Sequence, residues 1–123
     1  VVRGFLISYM EHLKLGGSGH RIIEHAKLYI RDNCAQDISL EAVSREVGLS
    51  SAYLSRLFKK EEGMNYKDYL SSVRMEKAAA LLREGKLNVS QVAQEVGYGS
   101  LKNFSAAFKS YFGITAREMR RGG

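Results

Sequence analysis

The apolar positions of this chain recur at helical spacing almost throughout, and the most informative run is residues 39–63. Leu40, Val43 and Val47 follow one another at three- and four-residue intervals behind Ser39, a suitable N-cap, which predicts a helix from about Leu40 to Val47. Gly48 permits the left-handed backbone that closes a helix, and Leu49 after it can turn back into a shared core. Ser50 then caps a second helix, roughly Ser51 to Glu62. Leu54, Leu57 and Phe58, joined by Tyr53, form its apolar face, while Ser51, Ala52, Ser55, Arg56 and Lys59 lie on the other. Two helices that cross closely need a small residue four before the turn glycine, and Ser44 meets that need. The pattern is a helix-turn-helix.

The same pattern returns 49 to 50 residues later. Val89, Val92 and Val96 stand where the first copy has Leu40, Val43 and Val47; Ala93 replaces Ser44, and Gly97 replaces Gly48. After a turn one residue longer, Phe104, Ser105, Phe108, Lys109 and Gly113 repeat Leu54, Ser55, Phe58, Lys59 and Gly63. Two copies are too few for a solenoid, so a duplicated helix-turn-helix describes the chain better.

The flanks complete an all-α architecture of about seven helices plus an extra N-terminal one. In residues 1–15, Val2, Phe5, Leu6, Tyr9, Met10 and Leu13 fall on one side of a helix. Such a helix is marginal alone and calls for a partner: the following domain, an upstream domain or a second copy of the chain in a homodimer. Gly16, Gly17, Ser18 and Gly19 read as a flexible joint, compatible with a natural hinge and with an engineered tether. The domain proper, residues 20–121, opens with an amphipathic helix carrying Ile22, Ile23, Ala26, Leu28, Tyr29 and Ile30 on its buried face. It completes a first subdomain over residues 20–63.

Between the motifs, residues 65–84 form a long connecting helix. Asn65 and Asp68 resemble a capping pair, Gly85 ends the helix, and Tyr66, Tyr69, Leu70, Val73, Ala78, Leu81 and Leu82 supply its buried side. The second subdomain covers residues 86–121. It closes with Thr115-Ala116-Arg117-Glu118, a capping box opening a short helix that ends at Arg120 and Arg121.

Composition narrows the function. Lys and Arg outnumber Asp and Glu by 19 to 13, a net charge of +6 that suits a polyanionic partner or serves solubility alone. The motif decides for nucleic acid: small outer residues allow close approach to a major groove, Arg56 can reach base edges, and Lys59 and Lys60 can meet phosphates. An enzyme site does not assemble. His20 and His25 are five apart, off the spacing that brings two metal ligands to one helix face, and His12 lies across the glycine joint. No metal or other cofactor is expected.

Cys34 is the single cysteine and forms no internal disulfide, which points to a reducing compartment; it reads as a small buried residue. No apolar run is long enough to span a membrane. The chain does not start with Met, and is expected to be a fragment of a longer protein. The competing reading is a helical interaction or dimerisation module with only nonspecific DNA affinity.

With both motifs and the connecting helix in place, residues 20–121 resemble the DNA-binding domain of the AraC/XylS family of bacterial transcription regulators. The resemblance is carried by Ile38-Ser39-Leu40-Glu41, Val47-Gly48-Leu49-Ser50 and Tyr53-Leu54-Ser55-Arg56-Leu57-Phe58-Lys59 in the first half. Arg74, Ala78, Leu81-Leu82, Val96-Gly97-Tyr98, Phe104, Phe108-Lys109 and Gly113 carry it in the second. It departs from the family at Ala116, where proline is common, and near Met119, where an aromatic residue is usual.

The resemblance implies a seven-helix fold of two subdomains, sequence-specific binding to double-stranded promoter DNA and a separate upstream domain that senses a small molecule or accepts a phosphoryl group. By position, it places base contacts at Ser51, Ala52, Ser55 and Arg56 in the first motif and at Leu101, Lys102, Asn103, Ser105 and Ala106 in the second. Phosphate contacts are expected from Lys59, Lys60 and Lys109, and Arg120 and Arg121 either meet phosphate as well or form a solvated end. RNA polymerase is a further candidate partner, and the bacterial cytoplasm the expected location.

Overall fold

The computed structural model describes residues 18–122. The amphipathic segment expected over residues 1–15, with the dimer contact assigned to it, and the first two glycines of the joint lie outside the described residues. Seven helices, and no strand, make up the described residues: α1 (Ser18–Asp32), α2 (Leu40–Val47), α3 (Ser51–Glu62), α4 (Tyr66–Glu84), α5 (Val89–Glu95), α6 (Leu101–Phe112) and α7 (Ala116–Gly122). The all-α class and both helix-turn-helix units are as the periodicity predicts, and α2 and α3 match their predicted bounds residue for residue.

The first helix differs from expectation in two ways. It begins at Ser18, so Ser18 and Gly19 belong to its opening turn rather than to a joint, and Gly19 is buried. Gly19 stands one turn before Ile22 and Ile23, on the buried side of the helix. Leu28, assigned to the buried face, is 56% exposed. The buried stripe runs through Ile22, Ile23, Ala26 and Ile30, and at roughly 100° per residue Leu28 falls on the opposite side.

The chain divides into two compact units: the residues up to Asn33 with Ile38–Leu70, and Cys34–Asp37 with Ser71–Gly123. In the first, α1 packs on α2 and α3 around Ile23, Ile30, Val43, Leu54 and Phe58, all fully buried. Two tyrosines at the start of α4 close this core. The Tyr66 hydroxyl donates to the Ile38 carbonyl at 2.6 Å, and the Tyr69 ring meets Phe58 edge-on with centroids 5.4 Å apart. Lys27 bonds Glu24 and Glu62 at 3.2 Å each and lies over the Tyr69 ring. Burial pulls the Lys27 ammonium down, but the bonds and charges of Glu62 and Glu24 outweigh it and hold its pKa above the ordinary lysine value.

In the second unit, α5, α6 and α7 pack on one another, and Met75, Leu82, Val92, Val96, Phe104 and Phe108 form the core. The segment Cys34–Asp37 is strapped to it by Arg74, which donates from Nε to the Cys34 carbonyl at 2.8 Å and from Nη2 to the Gln36 carbonyl at 3.0 Å. The same guanidinium lies over the Tyr98 ring, 5.7 Å from its centroid. Gly97 has φ of 98°, and a Cβ there would meet the Cys34 carbonyl oxygen at 2.8 Å. Arg74 and Gly97 thus hold their places in the sequence pattern for one local reason: the strap passes over both.

Helix α4 is shared between the units, with Tyr66, Tyr69 and Leu70 buried in the first and Met75, Ala78, Ala79 and Leu82 in the second. At roughly 100° per residue these two sets lie about half a turn apart around the helix. The expected buried side caught the first set and part of the second; it missed Met75 and Ala79, while Val73 and Leu81 are only half-buried. A single stripe was the wrong template for a helix whose buried face changes midway.

Candidate nucleic-acid interface

Each motif is fixed by its own caps and crossing. In the first, Ser39 Oγ accepts from the Ala42 amide at 3.1 Å and Ser50 Oγ from the Tyr53 amide at 3.2 Å. Gly48 has φ of 78°, and its amide and that of Leu49 both donate to the Ser44 carbonyl, at 2.9 and 3.0 Å. Ser44 is 4% exposed at the crossing, and its hydroxyl bonds the Glu41 carbonyl at 2.8 Å and Ser51 Oγ at 3.2 Å. The close approach therefore uses both the small size and the hydroxyl of Ser44.

The second motif reaches the same geometry with other parts. Asn88 and Gln91 form a full capping box, 2.8 and 2.9 Å, where the first motif has a lone serine. Ala93, 2% exposed, fills the place of Ser44. The Tyr98 amide donates to the Ala93 carbonyl at 2.9 Å, and Ser100 caps α6 through the Asn103 amide at 3.2 Å. The turn read from the sequence as one residue longer is two residues longer: α5 ends at Glu95, and residues 96–100 join it to α6 where residues 48–50 join α2 to α3.

With Leu54, Leu57 and Phe58 buried beneath it, α3 exposes Ala52, Ser55, Arg56, Lys59 and Lys60. Ser51 is half-buried and engaged with Ser44, so it is the least free of the first motif's expected contacts. The Arg56 guanidinium lies 5.8 Å from the centroid of the Tyr53 ring, one turn back on the same helix. Helix α6, anchored by Phe104 and Phe108, exposes Leu101, Lys102, Asn103, Ser105, Ala106 and Lys109. Leu101 remains 47% exposed although it is apolar.

The terminal arginines separate. Arg120 donates from Nε to the Leu87 carbonyl at 2.7 Å and from Nη2 to the Gly85 carbonyl at 3.1 Å, tying α7 to the turn after α4. Its guanidinium has a structural task that the sequence did not disclose. Arg121 is exposed. The Thr115 capping box closes as expected: Glu118 Oε1 accepts from the Thr115 amide at 2.8 Å and Thr115 Oγ1 from the Glu118 amide at 3.0 Å. Those bonds, aided by Lys109 and Arg121, hold the Glu118 carboxyl below its ordinary range. Proline is thus not needed at Ala116 for α7 to form.

One feature escaped sequence reasoning. A shallow groove runs along α6, lined by Leu101, Ser105, Ala106 and Lys109 on one side and by Val89, Thr115, Ala116 and Arg117 on the other. Arg117 carried no expected role, because only its neighbours in the capping box had a sequence signature. Among the described residues, no group of three or more His, Cys, Asp or Glu could hold a metal ion, and no helix is long and apolar enough to cross a membrane.

Comparison with known proteins agrees with this geometry. A family described as "Helix-turn-helix domain" matches residues 43–122. The lactose operon transcription activator of Staphylococcus xylosus is 36% identical over 98 residues, covering 80% of this chain and 35% of the activator. The multiple antibiotic resistance protein MarA of Escherichia coli K12 is 34% identical over 92 residues, 75% of this chain and 72% of MarA. Among solved structures, the C-terminal domain of AraT, a response regulator from Geobacillus stearothermophilus, superposes with a TM-score of 0.78 at 38% identity, covering 83% of this chain and 85% of that domain. The chain spans less than half the length of several of the relatives that it matches. Two capped helix-turn-helix units, the family match and these relatives together establish that the chain belongs to the AraC-type helix-turn-helix family of DNA-binding transcription regulators.

Proposed function

We propose that this chain is the sequence-specific DNA-binding part of a larger bacterial transcription regulator, with α3 and α6 as its recognition helices in successive major grooves of promoter DNA. The observation that carries the reading is the division of faces on α3 and α6: Leu54, Leu57 and Phe58 are buried on one and Phe104 and Phe108 on the other, while Ala52, Ser55, Arg56 and Lys59 of α3 and Lys102, Asn103, Ser105 and Lys109 of α6 are turned outward. Ser51, Ala52, Ser55 and Arg56 read bases from α3, and Leu101, Lys102, Asn103, Ser105 and Ala106 from α6. Lys59, Lys60, Lys109 and Arg121 meet phosphates, while Arg120 acts first through the Gly85 and Leu87 carbonyls.

The two helices are unequal readers. Arg56 suits the bidentate guanine contact, worth about 1–3 kcal/mol of discrimination, and its counterpart is Ala106. The first motif therefore carries more of the base specificity and the second more of the positioning, with Asn103 available to adenine and Lys102 to guanine or phosphate. Residues 1–17 belong with an upstream sensor or receiver domain, and residues 1–15 with homodimer formation. RNA polymerase is a partner of the assembled regulator, in the cytoplasm.

The test is selection of bound duplexes from a randomised library, followed by titration of the recovered site across salt. Two short elements about one helical turn apart are expected, with affinity falling on a log–log slope of about −0.9 per phosphate neutralised. Recovery of no preferred sequence would reduce the function to nonspecific affinity.

A further inference from the structure

We propose that Arg117, and its internal counterpart Lys67, clamp the DNA backbone at equivalent places beside the two recognition helices. The inference rests on the DNA-binding reading above and extends it to residues outside both motifs. It starts from the duplication. The 50-residue offset that relates Phe104 and Phe108 to Leu54 and Phe58 continues past the recognition helices, pairing Gly113 with Gly63, Thr115 with Asn65 and Glu118 with Asp68. The structure bears out the extension: Asn65 Oδ1 accepts from the Asp68 amide at 2.8 Å, as Thr115 Oγ1 accepts from the Glu118 amide at 3.0 Å. The helix following each recognition helix thus starts in the same register, and its second residue is Lys67 in one unit and Arg117 in the other. Both are exposed, and among the described residues neither forms an ion pair.

The groove along α6 adds an independent observation. Arg117 forms its wall opposite Ser105, Ala106 and Lys109, residues on the face that α6 turns outward. The small side chains at Ser105, Ala106 and Ala116 keep the groove open, and its two charged lining residues are both cations. The adjoining carboxylate, Glu118, is turned to the Thr115 amide. The rest of the lining is uncharged and mostly apolar, through Val89, Leu101, Ala106 and Ala116. A sugar-phosphate strand lying along the groove thus meets a cation on each side, Lys109 and Arg117, and sets its sugars against the apolar surface.

The experiment is salt-dependent binding of the full chain to its selected duplex, for Arg117→Ala, Lys67→Ala, the double variant and Arg117→Lys. Each single alanine variant is expected to lower the magnitude of the log–log slope by about 0.9, the double by about twice that, and Arg117→Lys to keep the wild-type slope. The selected sequence stays the same, since a phosphate contact carries no base information. An unchanged slope in Arg117→Ala, or a changed preferred sequence with the slope intact, would overturn the proposal. Helical circular dichroism confirms that each variant is folded. Absence of any duplex binding by the wild-type chain would instead refute the DNA-binding reading on which the proposal rests.

Discussion

Helices α3 and α6 are built on one plan and finished differently. Leu54 and Phe58 recur as Phe104 and Phe108 at the same depth, both pairs fully buried, and the caps Ser50 and Ser100 hold the same amide three residues on. On the outer side the correspondence is partial: Ser55 and Lys59 recur as Ser105 and Lys109, but Ala52, Arg56 and Lys60 become Lys102, Ala106 and Ser110. Packing constrains the inner positions, because a core tolerates little change in volume. Solvent-facing positions are bound by no such limit and are free to follow the partner. The duplication therefore separates what makes a helix-turn-helix stand from what makes it read.

That separation can be broken most forcefully from the inside. Phe58→Ala and Phe108→Ala should each cost about 3–5 kcal/mol in denaturant unfolding, and the two costs should agree, since both rings fill equivalent, fully buried sites. A large difference between them would mean that the scaffolds are less alike than their burial indicates. Gly97→Ala comes next, at about 2 kcal/mol or more, from the left-handed backbone and the contact with the Cys34 carbonyl. Its damage should appear as lost protection of amides in α5 and α6, with α2 and α3 spared.

The outer face gives smaller effects on stability and larger ones on recognition. Arg56→Ala should leave unfolding within about 0.5 kcal/mol of wild type while removing about 1–3 kcal/mol of discrimination at one base pair. The smallest contrast is in pH. Glu118 in the second unit has a lowered pKa, so its contribution is present above the ordinary carboxylate value and disappears as pH falls through the folded one. Lys27 in the first unit has a raised pKa, so its contribution is present below the ordinary lysine value and is lost as pH rises through the folded one. Glu118→Gln should flatten the acid limb of the stability profile, and Lys27→Met the alkaline limb, each leaving the other limb unaltered.

Much of this was legible in the residues because short-range rules govern it. Helix periodicity, serine and asparagine caps and turn glycines placed α2, α3 and the capping box of α7. Where one rule covered two environments the reading failed. The buried face of α4 changes midway, so Met75 and Ala79 broke a single-stripe pattern. Leu28 is apolar but sits opposite the stripe of α1, and apolar character alone does not assign a face. Gly19 reads as a joint by composition and is buried in the first turn of α1 in the fold. The bonds of Arg120 to Gly85 and Leu87, and of Arg74 to Cys34 and Gln36, span 33 to 40 residues and leave no periodic trace. Arg117 stayed hidden for the same reason, since its groove is made by three helices.

The division of labour between the two recognition helices is tested most directly by repeating the library selection with Arg56→Ala and Asn103→Ala beside the wild-type chain. The expected result is that Arg56→Ala erases the preferred base at a position in one element, while Asn103→Ala weakens binding to all sequences more evenly. If Arg56→Ala weakened every sequence alike and Asn103→Ala shifted the preferred site, the assignment would be reversed.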